Sequence, residues 1–368
     1  MKIVFVITGL SMGGAEKQVC LLADKMTERG NDVILISLSG HAKVLPEHKS
    51  VKVFQMSMSK GPLSLIKTLL AVRKIIKSYA PDVVHSHLFH ANILCRLLRC
   101  FTKINVLISS SHSRYEGGRM RMFIYKITSP LCDLITNVSK DAVNENIRKK
   151  IAPKDKIIAV GNGIDTTKFI FSPAAKKRVL SEFSLTEEHT LILSVGRFTE
   201  AKDYPTLLQA FKILISEKGK ENLRLLIAGD GELFEEISLL REQFNLVQYV
   251  IFLGIRNDIP QLMSASDIYV MSSAWEGMPL VIGEAMSCNC LIVTTRCGGV
   301  AEILGDCGTI VPVSSPEQLA DGILNTLSLD DIQSKKLKIK ARTRIEDKFS
   351  INAVVDNWLD IYGNDYAK

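Results

Sequence analysis

The 368-residue sequence predicts an α/β protein of two doubly wound parallel-sheet domains facing a cleft. Three observations carry that expectation. Short apolar runs alternate with longer amphipathic stretches, the βαβ rhythm of a parallel sheet, and the rhythm occurs twice. At about 150 residues per domain, the length suits two domains. The composition is 46% hydrophobic and 23% charged with 11 prolines, which supplies ample core and excludes a disordered or fibrous chain.

In the first half, the apolar runs 3–8, 33–38, 51–56, 82–87, 106–110, 134–138 and 156–160 have strand length. In the second half the corresponding runs are 191–195, 224–228, 249–253, 268–271, 291–295 and 309–311. Helical stretches fall between most of them. Charge and local chemistry change in 165–173, so the expected domains are 1–170 and 171–349, with a last helix near 350–368 packing back on the first. No run approaches the ~18 apolar residues of a membrane helix. The opening Met1-Lys2 and apolar run 3–7 are too short for a signal-peptide core. The eight cysteines form no Cys-x-x-Cys and read as buried thiols rather than disulfides or a zinc site.

The net charge of +7 hides an asymmetry. Residues 1–170 carry 26 Lys and Arg against 12 Asp and Glu, whereas 171–368 carry 20 against 27. A basic half joined to an acidic half points to an anionic partner at one end: nucleic acid, phospholipid or a phosphorylated substrate.

In open parallel sheets ligands sit at the carboxyl ends of strands, so the strand-to-helix loops come next. The first strand runs into Gly9-Leu10-Ser11-Met12-Gly13-Gly14-Ala15-Glu16 and then a helix. Its glycines admit a close ligand and the helix N-terminus offers N–H groups to an anion, although an ordinary tight turn satisfies the same residues. The spacing is not Gly-x-Gly-x-x-Gly and no acid ends the second strand, which argues against a dinucleotide. After the run 191–195 come Gly196-Arg197 and, five residues on, Lys202. A guanidinium fork and a compact ammonium both suit a diphosphate, though two basic residues also occur in solvated loops.

The run 268–271 precedes Ser272-Ser273-Ala274-Trp275-Glu276-Gly277-Met278-Pro279, with Pro279 expected at the first helical position and Glu284 inside the helix. With about 7.5 Å of helix rise between Pro279 and Glu284, the two carboxylates are too far apart for the ~5 Å pair of a retaining glycosidase. They suit two parts of one long ligand. A nucleotide sugar fits, with Glu276 at sugar hydroxyls, the helix N-terminus at the diphosphate and Glu284 at a ribose diol. A partly buried structural carboxylate is the plainer reading of Glu284.

An ordered set of motifs spans nearly the whole chain. It comprises Gly13-Gly14-Ala15-Glu16, Asp82-Val83-Val84-His85-Ser86-His87, His112 after a strand, Gly161-Asn162-Gly163-Ile164-Asp165 with Phe169, Gly196-Arg197 with Lys202-Asp203, Gly229-Asp230-Gly231, Phe252-Leu253-Gly254, Ala265-Ser266-Asp267-Ile268, and Glu276 with Glu284. In this set the sequence resembles the family 4 retaining glycosyltransferases of the GT-B fold, which act in bacterial surface polysaccharide synthesis, including lipopolysaccharide and capsule. The resemblance implies Rossmann-like domains and hexosyl transfer from a nucleotide-diphosphate sugar. It implies a catalytic set of His112, Glu276, Arg197 and Lys202. Arg197 and Lys202 would hold the donor diphosphate, Gly13 and Gly14 a phosphate, Glu284 the ribose and Glu276 a sugar hydroxyl. The backbone of Gly277, Met278 and Pro279 would line the pocket, that of Ile255 and Arg256 would meet the base, and Asn162 would organise the cleft wall. No Asp-x-Asp occurs, so no cofactor or metal is expected, and Arg and Lys would replace a cation at the leaving group. The family's Gly-x-Pro after the Glu-x7-Glu helix is here Cys288-Asn289-Cys290, where Asn tolerates a left-handed cap.

Three further features bear on partners. His85, His87 and His90 read as cleft lining rather than a metal site, since no carboxylate or cysteine accompanies them. The basic, glycine-containing loop after His112 places Arg114, Tyr115 and Arg119 where a diphosphate-linked acceptor is expected. Residues 63–77 form an amphipathic helix with Leu65, Leu69, Val72 and Ile76 on one stripe, and 91–103 present Arg96, Arg99 and Lys103 on one face. Together with the domain charge these favour an anionic membrane surface over nucleic acid, for which no reading helix or stacking platform is evident. The expectation is a cytoplasmic enzyme, peripheral on the inner face of the plasma membrane, acting on a lipid-linked or polysaccharide-precursor acceptor. The alternatives are a GT-B enzyme with a soluble acceptor (sucrose-phosphate-synthase-like), a nucleotide-sugar epimerase, or a non-catalytic nucleotide-sugar-binding protein.

Overall fold

The computed structural model describes every residue except Met12, Lys60, 114–116 and 364–368, so the expectations for Arg114 and Tyr115 lie outside the described residues. Among the described residues the chain forms two compact units, Met1–Gly163 with Ile351–Lys368, and Ile164–Ser350.

The first unit contains β1 (Lys2–Ile7), α1 (Gly14–Glu28), β2 (Asp32–Ser37), β3 (Lys52–Gln55), α2 (Pro62–Tyr79), β4 (Val83–His87), α3 (Phe89–Arg99), β5 (Val106–Ser111), α4 (Arg119–Thr128), β6 (Leu134–Asn137), α5 (Lys140–Arg148) and β7 (Ile157–Ala159). The strands form one sheet in the order β3-β2-β1-β4-β5-β6-β7. Both faces are covered, which explains the continuous rather than alternating hydrophobicity of β1. Ile3, Phe5 and Ile7 enter a core with α1, whereas Val4 and Val6 enter the opposite core with α2 and α3.

The second unit contains α6 (Ala175–Glu182), β8 (Thr190–Val195), α7 (Tyr204–Lys212), β9 (Leu223–Ala228), α8 (Phe234–Gln243), β10 (Val250–Gly254), α9 (Ile259–Ala265), β11 (Ile268–Met271), α10 (Leu280–Ser287), β12 (Leu291–Thr295), α11 (Val300–Leu304), β13 (Thr309–Val311), α12 (Pro316–Leu327) and α13 (Asp331–Lys348). Its sheet order is β10-β9-β8-β11-β12-β13. The last helix, α14 (Ile351–Gly363), belongs to the first unit, where Val354, Val355, Trp358, Ile361 and Tyr362 join the α1 core. Truncating a buried aromatic such as Trp358 to Ala typically costs ~3–5 kcal/mol, so α14 is integral to that unit.

The structure departs from the sequence expectations at several points. The units divide at Gly163/Ile164 rather than 170/171. The Ile164 N–H donates to the Phe349 carbonyl at 2.7 Å, and Arg342 donates to the carbonyls of Thr166 and Phe169, tying 164–170 into the second unit. Pro279 is the N-cap of α10 and not its first residue. Cys100 is exposed, whereas the other seven cysteines are buried free thiols. Asn289 takes the left-handed conformation (φ 63°) anticipated for a glycine substitute after α10.

The basic face expected on 91–103 does not form. Arg96 is fully buried and donates to Ser109, Tyr125 and Thr128, and Arg99 pairs with Asp133 at 2.5 Å. Hydrogen-bonding partners on β5 and α4 draw Arg96 inward, which helical spacing alone does not reveal.

Candidate functional site

In the second unit the strand order reverses between β8 and β11, so the loops after these two strands meet at the switch point of the sheet. The β8 loop carries Gly196-Arg197 and Lys202; the β11 loop carries Ser272–Pro279. Phe198 is fully buried, and its anchoring leaves the adjacent Arg197 exposed. The Arg197 side chain makes no hydrogen bond or ion pair among the described residues, so its guanidinium is available to a ligand.

Lys202 is held differently. Its Nζ donates to Glu276 Oε1 at 2.6 Å, with only 19% and 18% of the two side chains exposed. The Ser273 hydroxyl donates to the same oxygen at 2.9 Å. Two further bonds bind the loops together, from Ser272 Oγ to the Lys202 carbonyl (2.8 Å) and from the Ala274 N–H to the Ala201 carbonyl (2.9 Å). The switch point therefore presents one compensated cation, one uncompensated cation and one oriented carboxylate. That set can grip a diphosphate while accepting a hydroxyl hydrogen bond.

Glycines allow the loops to approach. Gly229 (φ 148°) lies against the Gly196 carbonyl, and a Cβ there would sit 2.8 Å from the Gly196 carbonyl carbon. Gly298 (φ 48°) lies under Glu276, where a Cβ would come within 2.7 Å of its carbonyl carbon, and the Gly299 N–H donates to the Gly277 carbonyl at 2.6 Å. Sequence reasoning missed Ser273, Gly298 and Gly299. The pair Gly298-Gly299 directly after β12 was the available signal.

Gly277 is half-buried, and Met278 and Pro279 are buried, in the turn leading to α10; Glu284 is half-buried on that helix. Arg256 is committed elsewhere. Its guanidinium pairs with Asp258 (2.8 Å) and Glu182 (2.7 Å), which holds its pKa above the ordinary arginine value. Asp203, next to Lys202, is the N-cap of α7 and accepts from the Thr206 N–H and hydroxyl.

In the first unit the order reverses between β1 and β4. Gly13 caps α1 with no side-chain cap bond, and the Glu16 carboxylate, held by Ser11 Oγ at 2.7 Å, folds against it. That carboxylate already lies beside the N–H groups at which a phosphate contact through Gly13 and Gly14 is expected.

From β4, His85 and His87 project to the same side with ring centroids 4.0 Å apart. His85 is bonded to Tyr362 Oη (2.7 Å) and Ser110 Oγ (2.6 Å). His87 Nδ1 lies 3.0 Å from His112 Nε2. His90, by contrast, is exposed at the start of α3, away from this row, so the cluster expected from 85, 87 and 90 is in fact 85, 87 and 112. Burial lowers all three pKa values, that of His112 to about 4, so the row is neutral at pH 7. Asn162 is buried beside the same small cavity as His87 and His112. Arg119 is exposed in the first turn of α4.

Two family models match the chain. One, described as Glycosyltransferase Family 4, matches residues 12–168; the other, Glycosyl transferases group 1, matches residues 176–344. The chain is a family 4 glycosyltransferase of the GT-B fold. Among curated relatives, an Escherichia coli UDP-Gal:α-D-GlcNAc-diphosphoundecaprenol α-1,3-galactosyltransferase is 27% identical over 85% of this chain and 84% of its own. A Bacillus anthracis N-acetyl-α-D-glucosaminyl L-malate synthase is 24% identical over 96% and 94%. Among solved structures, Anabaena HepE in complex with UDP and glucose superposes with a TM-score of 0.85 at 20% identity, over 98% of this chain and 99% of that one, and shares the fold. No helix of this glycosyltransferase is long and apolar enough to cross a membrane among the described residues.

Proposed function

We propose that this glycosyltransferase moves a sugar, with retention of anomeric configuration, from a nucleotide-diphosphate sugar to a lipid-diphosphate-linked or polysaccharide-precursor acceptor. The observation that carries the donor reading is the switch-point set of exposed Arg197 beside the Lys202–Glu276 pair. Arg197 and Lys202 would neutralise the diphosphate as it leaves, the charge-stabilising role a bound cation plays elsewhere, so no metal cofactor is needed. Glu276, already oriented by Lys202 and Ser273, would accept from a donor-sugar hydroxyl, and Glu284 would take the ribose diol. The turn at Gly277, Met278 and Pro279 would line this pocket. His112, neutral by burial, would stand at the reacting centre.

The acceptor reading draws on the E. coli relative, named for a diphosphoundecaprenol-linked substrate, and on the surface of the first unit. Residues 51–132 carry 13 Lys and Arg against only Asp82 and Glu116. Within that stretch α2 exposes Leu63, Ile66 and Leu70, and α4 exposes Met120, Phe123 and Ile127 beside Arg119 and Lys126. Apolar stripes edged by basic residues suit the interface of an anionic bilayer, at about 1 kcal/mol per Lys or Arg near the surface. The reading places the enzyme peripherally on the inner face of the plasma membrane, with Arg119 near the acceptor diphosphate. The B. anthracis relative, named for an L-malate product, favours a soluble acceptor as the second reading.

The test incubates purified enzyme with UDP- and GDP-sugars and either undecaprenyl-diphosphate-linked or water-soluble acceptors, reading product anomer by NMR. Transfer only to soluble acceptors, or an inverted product, removes the corresponding part of the proposal. Co-sedimentation with phosphatidylglycerol vesicles tests the surface. Replacing Met120, Phe123 and Ile127 by Ser should abolish it, and equal binding to neutral vesicles would count against the electrostatic component.

A further inference from the structure

Arg197 is exposed, yet the backbone on either side of it is held firmly. The Gly196 N–H donates to the Ala228 carbonyl at 3.0 Å and the Phe198 N–H to the Asp230 carbonyl at 3.1 Å, which ties the turn to the end of β9 and the loop after it. The Arg197 carbonyl accepts from the Thr199 N–H at 2.9 Å. The side chain of Tyr204, the first residue of α7, touches both flanks of Arg197. Its Oη donates to the Gly196 carbonyl at 3.1 Å, and its ring lies 4.7 Å from that of Phe198.

We infer that Tyr204 is a positioning residue for Arg197, holding the turn from its buried side so that the guanidinium is presented in one place. The inference rests on the reading of Arg197 as a group that grips the donor diphosphate. A charge-stabilising group speeds turnover only when it is aimed where charge develops. An arginine side chain is long and flexible, so its backbone base is the part that the fold can fix.

Tyr204 is itself well placed to do this. It is 2% exposed. Its backbone follows Asp203, whose carboxylate caps α7 by accepting from Thr206. Its ring partner Phe198 packs further on Phe234 at 5.3 Å and Phe252 at 5.4 Å. Gly196 is the meeting point of the site's parts. A Cβ there would come within 2.8 Å of Lys202 Cε and 3.2 Å of Tyr204 Oη, so the missing side chain admits both. The carbonyl one residue earlier is held in the same way, since fully buried Tyr269 on β11 donates to Val195 at 3.3 Å. Carbonyls at a strand end that leave the ladder need such donors. Burial, helped by the Glu276 carboxylate, holds the Tyr204 phenol well above its ordinary pKa, so the hydroxyl keeps its proton and remains a donor.

The test is a double-variant cycle. Y204F deletes the hydroxyl and keeps the ring against Phe198. With folding checked by circular dichroism and melting temperature, turnover of UDP- and GDP-sugars is measured for the parent, Y204F, R197A and R197A/Y204F. Y204F should lower kcat/KM for the donor by ~10–100-fold, up to the scale of a 1 Å misplacement. In the R197A background the same substitution should change kcat/KM by less than about threefold, because a residue that acts through Arg197 has nothing left to position. A merely structural tyrosine would give the same further loss in both backgrounds, and that result overturns the inference, as does a fully active Y204F. If Y204F does not fold, F198L reaches the other flank and carries the same prediction: a loss in the parent and silence in R197A. A fully active R197A removes the donor reading of Arg197 itself. An impaired R197A in which Y204F costs as much as in the parent removes only the positioning.

Discussion

Mild acid should loosen the first unit of this glycosyltransferase before it touches the second. The perturbation is protonation of His85, His87 and His112, whose folded pKa values lie below the ordinary 6.5, that of His112 at about 4. As pH falls, the unfolded chain takes up these protons first. The stabilisation is therefore present above about pH 6.5 and is lost progressively as pH falls toward 4. Each ring that stays neutral in the folded protein contributes up to about 1.4 kcal/mol per pH unit in this window. Between pH 6.5 and 5 that is at most about 2 kcal/mol per ring, and the sum over the row is a large part of a domain's net stability. Trp358 reports on it, since it is 4% exposed and its ring lies 4.5 Å from His85; the only other tryptophan, Trp275, is 57% exposed in the second unit. The assay is urea unfolding followed by tryptophan emission in a Trp275→Phe background at several pH values. The midpoint should fall steadily from pH 7 to 5. Because carboxylates also titrate lower in this range, H87N provides the control: with one titrating ring removed, its slope should be shallower, by up to about 1.4 kcal/mol per pH unit. A midpoint that is flat or rises on acidification, or an H87N slope parallel to that of the parent, would refute the reasoning.

Three further outcomes are expected. Arg197→Ala should lower transfer by ~10²–10³ in rate, the scale of one lost charge-stabilising donor, while stability changes by less than ~0.5 kcal/mol because the side chain is exposed and unpaired; unimpaired turnover would remove Arg197 from the mechanism. Lys202→Met should lower both activity and melting temperature, since Glu276 is left partly buried with Ser273 alone; the loss should be smaller than the ~3–5 kcal/mol of a fully buried broken pair, and Glu276→Gln in the same background should recover part of the stability but not the activity. Gly298→Ala should weaken donor binding in calorimetry, because its φ of 48° and the Glu276 carbonyl beneath it leave no place for a methyl group; unchanged donor affinity would show that the Glu276 turn can shift freely.

Much of the architecture was legible in the residues. Each of the apolar runs expected as strands corresponds to a strand, because burial on both faces writes a parallel strand as a continuous apolar segment. The two charged loops of the second unit were legible for a related reason, since polar residues placed directly after such runs stand out against them. The basic surface was read less well. Total charge marked the basic half of the chain, yet it could not tell Arg96, drawn into the interior by Ser109, Tyr125 and Thr128, from Lys103, left in solvent. Nor did it show that α2 and α4 each expose a second apolar stripe, because helical periodicity reveals a stripe without saying what it faces.

Local sequence therefore determined the elements, their order and the chemical inventory of the candidate site, since propensity, hydrophobic period and strand-end position act over a few residues. Tertiary structure alone decided who meets whom. His87 and His112 are 25 residues apart, Lys202 and Glu276 are 74 apart, and Tyr362 reaches His85 across 277. Those pairings depend on which strands become neighbours and on the return of α14 to the first unit. They follow from the closure of entire sheets and cores, and no short window of sequence carries that information.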